Sequence, residues 1–371
     1  MIPLFKVAME TLAVEMAADT MRCGYVGQGP RVEEFEGAMG QLVEAAVPPL
    51  ATNAGTSALW LALQLADVNP GDEVISTPMT CAATNAPIEL RGARVQWADV
   101  DPNTGLINPT TVAQLISHRT KAIIAVDYGG RACAYDELRS HGLPVIEDAA
   151  HALLARYRGK SIAQSGGDYV CWSFQAIKHL TTVDGGALLA PAAEMERGRL
   201  LRWYGLNRRS TISFRAAQDI SEMGGKWHMH DVAASIGLGN LPGAPSRVAA
   251  SRRNAEIYRR ELAGVTGIQL PPADADSSWW LYTLLVGERE RFIEYMASRG
   301  IETGQAHARN DLHSAFAYAR RPLPGVDAFA ARQVSIPCGW WVGDKERAQI
   351  IGAVQGWSAA LAGRKQIPMA G

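Results

Sequence analysis

No two cysteines stand at the C-x-x-C spacing of a zinc or redox motif. The five present, Cys23, Cys81, Cys133, Cys171 and Cys338, are odd in number and far apart. That argues against a disulfide framework and for a reducing compartment. No uninterrupted apolar run approaches the ~20 residues of a membrane helix. The opening stretch, MIPLFKVAMETLAVEM, carries acids where a secretory leader needs its apolar core, so a cytoplasmic location is expected. An excess of one charge is also missing: 36 Lys and Arg stand against 37 Asp and Glu. No basic stretch is interleaved with aromatics, so neither nucleic acid nor a membrane is an expected partner. A dinucleotide fingerprint is absent too. GYVGQGP sets Gly27 and Gly29 in G-x-G spacing, but Val32 stands where the third glycine belongs and no strand precedes. A Rossmann oxidoreductase is therefore disfavoured.

What is present is an ordinary globular composition, 47% hydrophobic and 20% charged, over 371 residues. At ~150 residues per domain, that length suggests two domains. Helix-like segments at 30–45, 56–66 and 110–118 alternate with short apolar runs at 73–77, 94–100, 121–127, 144–148, 168–174 and 186–190. Such alternation predicts an α/β fold with a mainly parallel sheet. Ligands of such sheets sit at the carboxyl ends of the strands. A helix is expected over 228–239. Pro242, Gly243 and Pro245 then interrupt the chain before a charged helix at 246–264. This places a large domain at 1–243 and a smaller C-terminal α+β domain at 244–371.

Four segments carry the chemistry through their order: NAGTSA (53–58), EDAAHA (147–152), SFQAIK (173–178) and TTVDGG (181–186). Lys178 follows an apolar strand. Read blandly it is a surface lysine. Semi-burial and a neighbouring cation, for which His179 is the candidate, would instead lower its pKa and make it a nucleophile toward an aldehyde. Asp148 ends the strand PVIED. It is either a helix cap or a carboxylate set opposite a protonated pyridine nitrogen, which keeps the ring able to accept electrons. Gly55 allows close backbone approach where a helix opens, and the amides of Thr56 and Ser57 form a ready phosphate site unless they serve only as a cap. Ser173 is placed to add a hydroxyl to the same phosphate. Arg202, Arg208, Arg209 and Arg215 are candidates for holding a diphosphate, or else a solvated face. Trp279 and Trp280 read as core or interface. His228 and His230 form H-x-H, but i and i+2 do not share a helix face, so no metal is expected.

Together these segments resemble the DegT/DnrJ/EryC1/StrS family of sugar aminotransferases. The resemblance runs from GYVGQGPRVEEFE through TNAGTSAL, VIEDAAHA, SFQAIKHLTTVDGGAL and GKWHMHDVAASIGLGNL to RGIETGQAHARNDLHSAF. It implies fold-type I, the aspartate aminotransferase fold, pyridoxal phosphate (PLP) as cofactor, and a homodimer with shared active sites. By motif position Lys178 resembles the Schiff-base lysine and Asp148 the partner of the ring nitrogen. His151 matches the contact to the ring hydroxyl, and Thr56, Ser57 and Ser173 match phosphate ligands. His313 matches a position near the substrate pocket, with Arg309 and Tyr25 as further substrate candidates. The implied reaction moves an amino group from an amino acid, with glutamate the expected donor, to a keto-sugar.

Three departures stand out. Cys81 occupies the position of an aromatic residue over the cofactor ring. Lys226 replaces an asparagine that reaches the phosphate across the dimer. Val183 and Asp184 replace Gly and Glu, and a β-branched valine resists positive φ, so an altered loop is expected there. Alternatives are sugar dehydration or deoxygenation on the same scaffold, an aminocyclitol aminotransferase, and a PLP-binding regulator without turnover. Lys178 favours transamination, because the dehydratase relatives typically lack that lysine.

Overall fold

The structure is a computed structural model that describes residues 1–210 and 217–362. Its apolar runs form one seven-stranded sheet. The strands are β1 (Leu50–Thr52), β2 (Glu73–Ser76), β3 (Arg94–Trp97), β4 (Thr120–Val126), β5 (Val145–Asp148), β6 (Tyr169–Ser173) and β7 (Gly186–Leu189). Their spatial order is β1-β7-β6-β5-β4-β2-β3. Neighbours from β6 to β3 are parallel, and β7 runs antiparallel to both β6 and β1. The mainly parallel sheet read from the sequence is thus found, with one reversed strand. Strands β2, β5 and β7 are buried along their whole length, and in β2 and β5 that burial includes the acids Glu73, Glu147 and Asp148.

Helices Pro30–Leu42, Gly55–Leu65 and Asp231–Asn240 lie close to their expected bounds. Pro30 opens its helix at the first position, where its missing N–H costs nothing. Helix Ala82–Leu90 was not legible, because Pro87 lies inside it. Tertiary hydrogen bonds hold it instead: Ser76 Oγ donates to Asn85 Oδ1 at 2.7 Å, and Thr84 Oγ1 reaches β5.

A second core surrounds a three-stranded antiparallel sheet, β8 (Ile268–Gln269), β9 (Tyr282–Val286) and β10 (Gln333–Ile336). Phe292, Met296 and Trp357 fill it, and Ile2 joins them by pairing with Ile301. The first residues of the chain therefore lie against the last third. Helix Ala244–Glu261 bridges the two cores, with Ala244 packed on the sheet side and Tyr258 on the other.

Candidate active site

A cavity of about 410 Å3 opens at the carboxyl ends of β5 and β6, where a parallel sheet places its ligands. Lys178, Asp148, His151, Ser173, Gly55, Thr56 and Cys81 all line it. Four segments separate in sequence thus meet at one place.

Asp148 is buried at the end of β5. Thr84 Oγ1 donates to its Oδ2 at 2.6 Å, and the Ala150 amide donates to Oδ1 at 3.1 Å. Thr80 Oγ1 lies 2.7 Å from Thr84 Oγ1 and extends the chain. Burial pushes the carboxyl pKa up, while the two donors and the Lys178 charge pull it down. A desolvated carboxylate held at its back by a hydroxyl is an acceptor waiting for a cationic N–H.

Lys178 sits just past β6 and lines the same cavity. Its pKa is lowered to about 8, chiefly by burial, with the charges of Asp148 and Cys81 acting the other way. The amine is therefore near its half-titration close to neutral pH, as a nucleophile and proton carrier needs. The neighbouring cation expected from the sequence is not the cause. His179 is buried, its Nε2 lies 3.1 Å from Ser251 Oγ, and burial drops its pKa to about 3. Successive residues here point apart, so sequence adjacency did not become contact. Lys178 Nζ instead lies 3.8 Å from the centroid of the Trp280 ring.

His151 is fixed on several sides. The Gly129 amide donates to its Nδ1 at 3.3 Å, which leaves the ring proton on Nε2. Nε2 lies 3.3 Å from Nε2 of His307. The two imidazoles are stacked, with centroids 5.2 Å apart and planes 5° apart. The other face of this group is Trp280, whose centroid is 4.0 Å from that of His151. Burial and the Lys178 charge hold both histidines below the usual range, His307 at about 4.

Helix Gly55–Leu65 points its N-terminus into the cavity. A Cβ on Gly55 would stand 2.9 Å from Cβ of Ser173, so only glycine lets the helix start this close to β6. Ser57 Oγ donates to Asn53 Oδ1 at 2.6 Å, which pins the first turn. Val183 adopts the positive φ that a β-branched side chain is expected to resist. Val183 takes φ 74°, and Thr181 Oγ1 accepts its amide at 2.9 Å. The turn thus holds a left-handed residue despite the β-branched side chain.

Several candidates lie elsewhere in the single chain. His313 is exposed beyond the 3-10 turn Asn310–Leu312, and Arg309 is engaged by Asp311 and Asp327. Lys226 is exposed beside Asn53, whose side chain donates to its carbonyl. Tyr25 lines a separate cavity of about 280 Å3 together with Arg202, Arg208 and Arg209. In that cavity Arg202 is buried and paired with Glu36, so it serves the fold. The Arg208 guanidinium lies over Trp203 at 4.6 Å, and Arg209 is 3.8 Å from Glu33. Arg215 lies outside the described residues. Among the described residues no group of three or more His, Cys, Asp or Glu is placed to hold a metal.

Among the cavity residues that the sequence reading did not assign to the site are Phe5, Thr84, Trp280 and His307. Trp280 reads as core or interface from the sequence, and His307 lies in the QAHARNDLHS segment where the resemblance points to His313.

Comparison with known proteins agrees with this geometry. The family model of the DegT/DnrJ/EryC1/StrS aminotransferase family matches residues 8–355. The structure of AtS13 from Actinomadura melliaura superposes with a TM-score of 0.90 at 40% identity, covering 96% of this chain and 98% of that one. The sugar aminotransferase CalS13 from Micromonospora echinospora gives 0.90 at 35%, covering 96% and 100%. A Saccharopolyspora spinosa dTDP-4-dehydro-2,3,6-trideoxy-D-glucose 4-aminotransferase is 31% identical over 91% of both chains. The chain is thus a transaminase of the PLP-dependent class with the type I fold. It belongs to the DegT/DnrJ/EryC1/StrS aminotransferase family. No helix among the described residues is long and apolar enough to cross a membrane.

Proposed function

We propose that the cavity holds pyridoxal phosphate and that the enzyme aminates a keto-sugar, most simply a nucleotide-linked 3- or 4-keto-6-deoxy sugar, with glutamate as donor. The observation that carries this is that Lys178, Asp148 and the first residues of the helix Gly55–Leu65 line one cavity. The donor set fits the cofactor: an amine for its aldehyde, a buried acid for its ring nitrogen and free amides for its phosphate. The Saccharopolyspora relative, named for a dTDP-linked keto-sugar substrate, supports the acceptor class.

When bound, pyridoxal phosphate supplies an aldehyde carbon that condenses with amines and a ring that accepts an electron pair. Asp148 would stand opposite the ring nitrogen and keep it protonated. The amides of Gly55 and Thr56 and the hydroxyl of Ser173 would hold the phosphate, with the positive end of the helix dipole behind them. Ser57 would fix that turn through Asn53. His151 would face the ring hydroxyl, and Cys81 would lie on the ring face with less contact area than an aromatic. Lys178 Nζ would hold the aldehyde carbon at rest. Once released, it would take the α-proton of the donor and deliver it to the former aldehyde carbon on the other side of the nitrogen. The acceptor ketone would then run the same proton transfers in reverse.

A homodimer is part of the proposal. Val7, Met9, Leu12, Val14 and Met21 leave apolar side chains exposed on and beside the helix Thr11–Cys23. A patch of that kind marks a contact surface. Lys226 and Tyr25, both exposed, would reach the partner's site, Lys226 as a point charge for the phosphate.

The test is to incubate the enzyme with pyridoxal phosphate, glutamate and a panel of nucleotide-linked 3-keto and 4-keto sugars alongside a keto-cyclitol. Mass spectrometry should show ketone-to-amine exchange on a nucleotide-linked sugar with matching release of 2-oxoglutarate. Amination of the keto-cyclitol alone would overturn the sugar assignment. Release of 2-oxoglutarate with no acceptor aminated would contradict the acceptor class.

A further inference from the structure

We propose that Trp280 is a positioning residue for this reaction, its indole face being the seat of the Lys178 ammonium whenever that amine is not bonded to the cofactor. The inference rests on Lys178 being the cofactor-bearing lysine, as proposed above.

Trp280 is held too firmly to be a passive wall. Its Nε1 donates to the Ile177 carbonyl at 3.0 Å, which ties the indole to the residue before Lys178. Phe5 stacks on it at 5.1 Å and 24°, and His151 at 4.0 Å and 21°. The ring is buried and cannot turn without breaking one of these contacts. Lys178 Nζ then lies 3.8 Å from its centroid.

An aromatic face attracts an ammonium and is nearly indifferent to a neutral amine. The contact therefore favours the proton-carrying state of Nζ and keeps it in one place. The other groups around Nζ are Asp148 and Cys81, which favour the charged amine, and His151, His307 and His179, which oppose it. The histidines are uncharged near neutral pH, so the balance is struck by burial on one side and by Asp148 and the indole on the other. A lysine that accepts a proton from one carbon and delivers it to another needs that proton-bearing state to persist close by. Trp280 supplies this without adding a titrating group.

The test uses the cofactor-free enzyme, so turnover is not needed. Acetic anhydride labels the neutral amine, and mass spectrometry reads labelling of Lys178 against pH in the wild type, Trp280→Phe and Trp280→Leu. Leucine keeps the wall apolar and removes the π face; phenylalanine keeps a smaller one. Below the amine's pKa the leucine variant should label ~3–10-fold faster than wild type, with phenylalanine between. Labelling at the wild-type rate, or slower, overturns the proposal. If leucine prevents folding, the phenylalanine variant decides alone by the same criterion. Pyridoxal phosphate should protect wild-type Lys178. Absence of protection overturns the cofactor reading, and this proposal with it, whatever the order of the variants.

Discussion

The Nε2 atoms of His151 and His307 lie 3.3 Å apart with their rings stacked nearly parallel. The Gly129 amide occupies Nδ1 of His151, so the proton between the rings sits on His151 Nε2 and His307 Nε2 accepts it. Two neutral imidazoles satisfy this geometry; two cations would repel.

Neither ring should therefore titrate near pH 6.5. Nitrogen NMR should show His151 as the Nε2–H tautomer and both rings neutral across roughly pH 5.5 to 7.5. The unfolded chain takes up these protons near 6.5, whereas folded His307 takes its own at about 4. The unfolded state binds more protons in between, so stability falls as pH drops through that window. A histidine titrating near 6.5 at either position would contradict the pairing.

Gly55→Ala would force a Cβ to 2.9 Å from Ser173 Cβ, between a helix start and a strand end that cannot both yield. Stability should fall by about 1–3 kcal/mol, as overpacking costs. Affinity for pyridoxal phosphate, followed by fluorescence titration, should fall roughly tenfold or more as the amides shift. Unchanged affinity would remove the helix N-terminus from the phosphate site.

Val183 at φ 74° stores strain that glycine would release. The left-handed penalty of ~1–2 kcal/mol exceeds the added chain entropy of glycine, ~0.5–1 kcal/mol. Val183→Gly should raise stability by roughly 0.5–1 kcal/mol in urea denaturation. A loss of stability would mean that the valine side chain makes contacts outweighing its backbone.

Asp127 and Glu147 form a buried acid pair behind Asp148. Asp127 Oδ1 accepts from Tyr135 at 2.6 Å and from the Cys133 amide at 3.0 Å, and Glu147 Oε2 accepts from the Gly167 amide at 2.7 Å. The remaining oxygens, Asp127 Oδ2 and Glu147 Oε1, have no donor. A proton shared between the two carboxyls would satisfy both. Burial and the Asp127 charge raise the Glu147 pKa well above 4.5. The folded state thus keeps a proton that the unfolded chain releases, and its contribution to stability is lost as pH rises through the folded pKa. Glu147→Gln donates from an amide that does not titrate. Wild-type stability should therefore decline relative to Glu147→Gln as pH rises above the ordinary carboxylate range, by up to ~1.4 kcal/mol per pH unit. Parallel profiles would contradict the shared proton.

Lys178 and Asp148 were legible in the sequence because each follows an apolar run, and strand ends are where such sheets bind ligands. The residues that complete their surroundings were not. Thr84 reaches Asp148 across 64 positions, and His307 reaches His151 across 156. Such approaches are decided by packing of the whole chain, and no local pattern encodes them. Trp280 read as core, and it is buried, but one face borders the cavity. The resemblance points to His313, while the fold turns His307 of the same segment into the cavity, because a motif locates a segment and not the rotation of its turns. Helix Ala82–Leu90 was hidden by Pro87, whose cost is offset by hydrogen bonds from Thr84 and Asn85.

The most direct measurement is the visible spectrum of the protein with pyridoxal phosphate, wild type against Lys178→Ala, before and after glutamate. Wild type should show the absorbance of a lysine-bound cofactor, bleached by glutamate as the amino group moves to it. Lys178→Ala should show no such band. The same band in Lys178→Ala would contradict the lysine assignment, and a wild-type band unmoved by glutamate would contradict glutamate as donor.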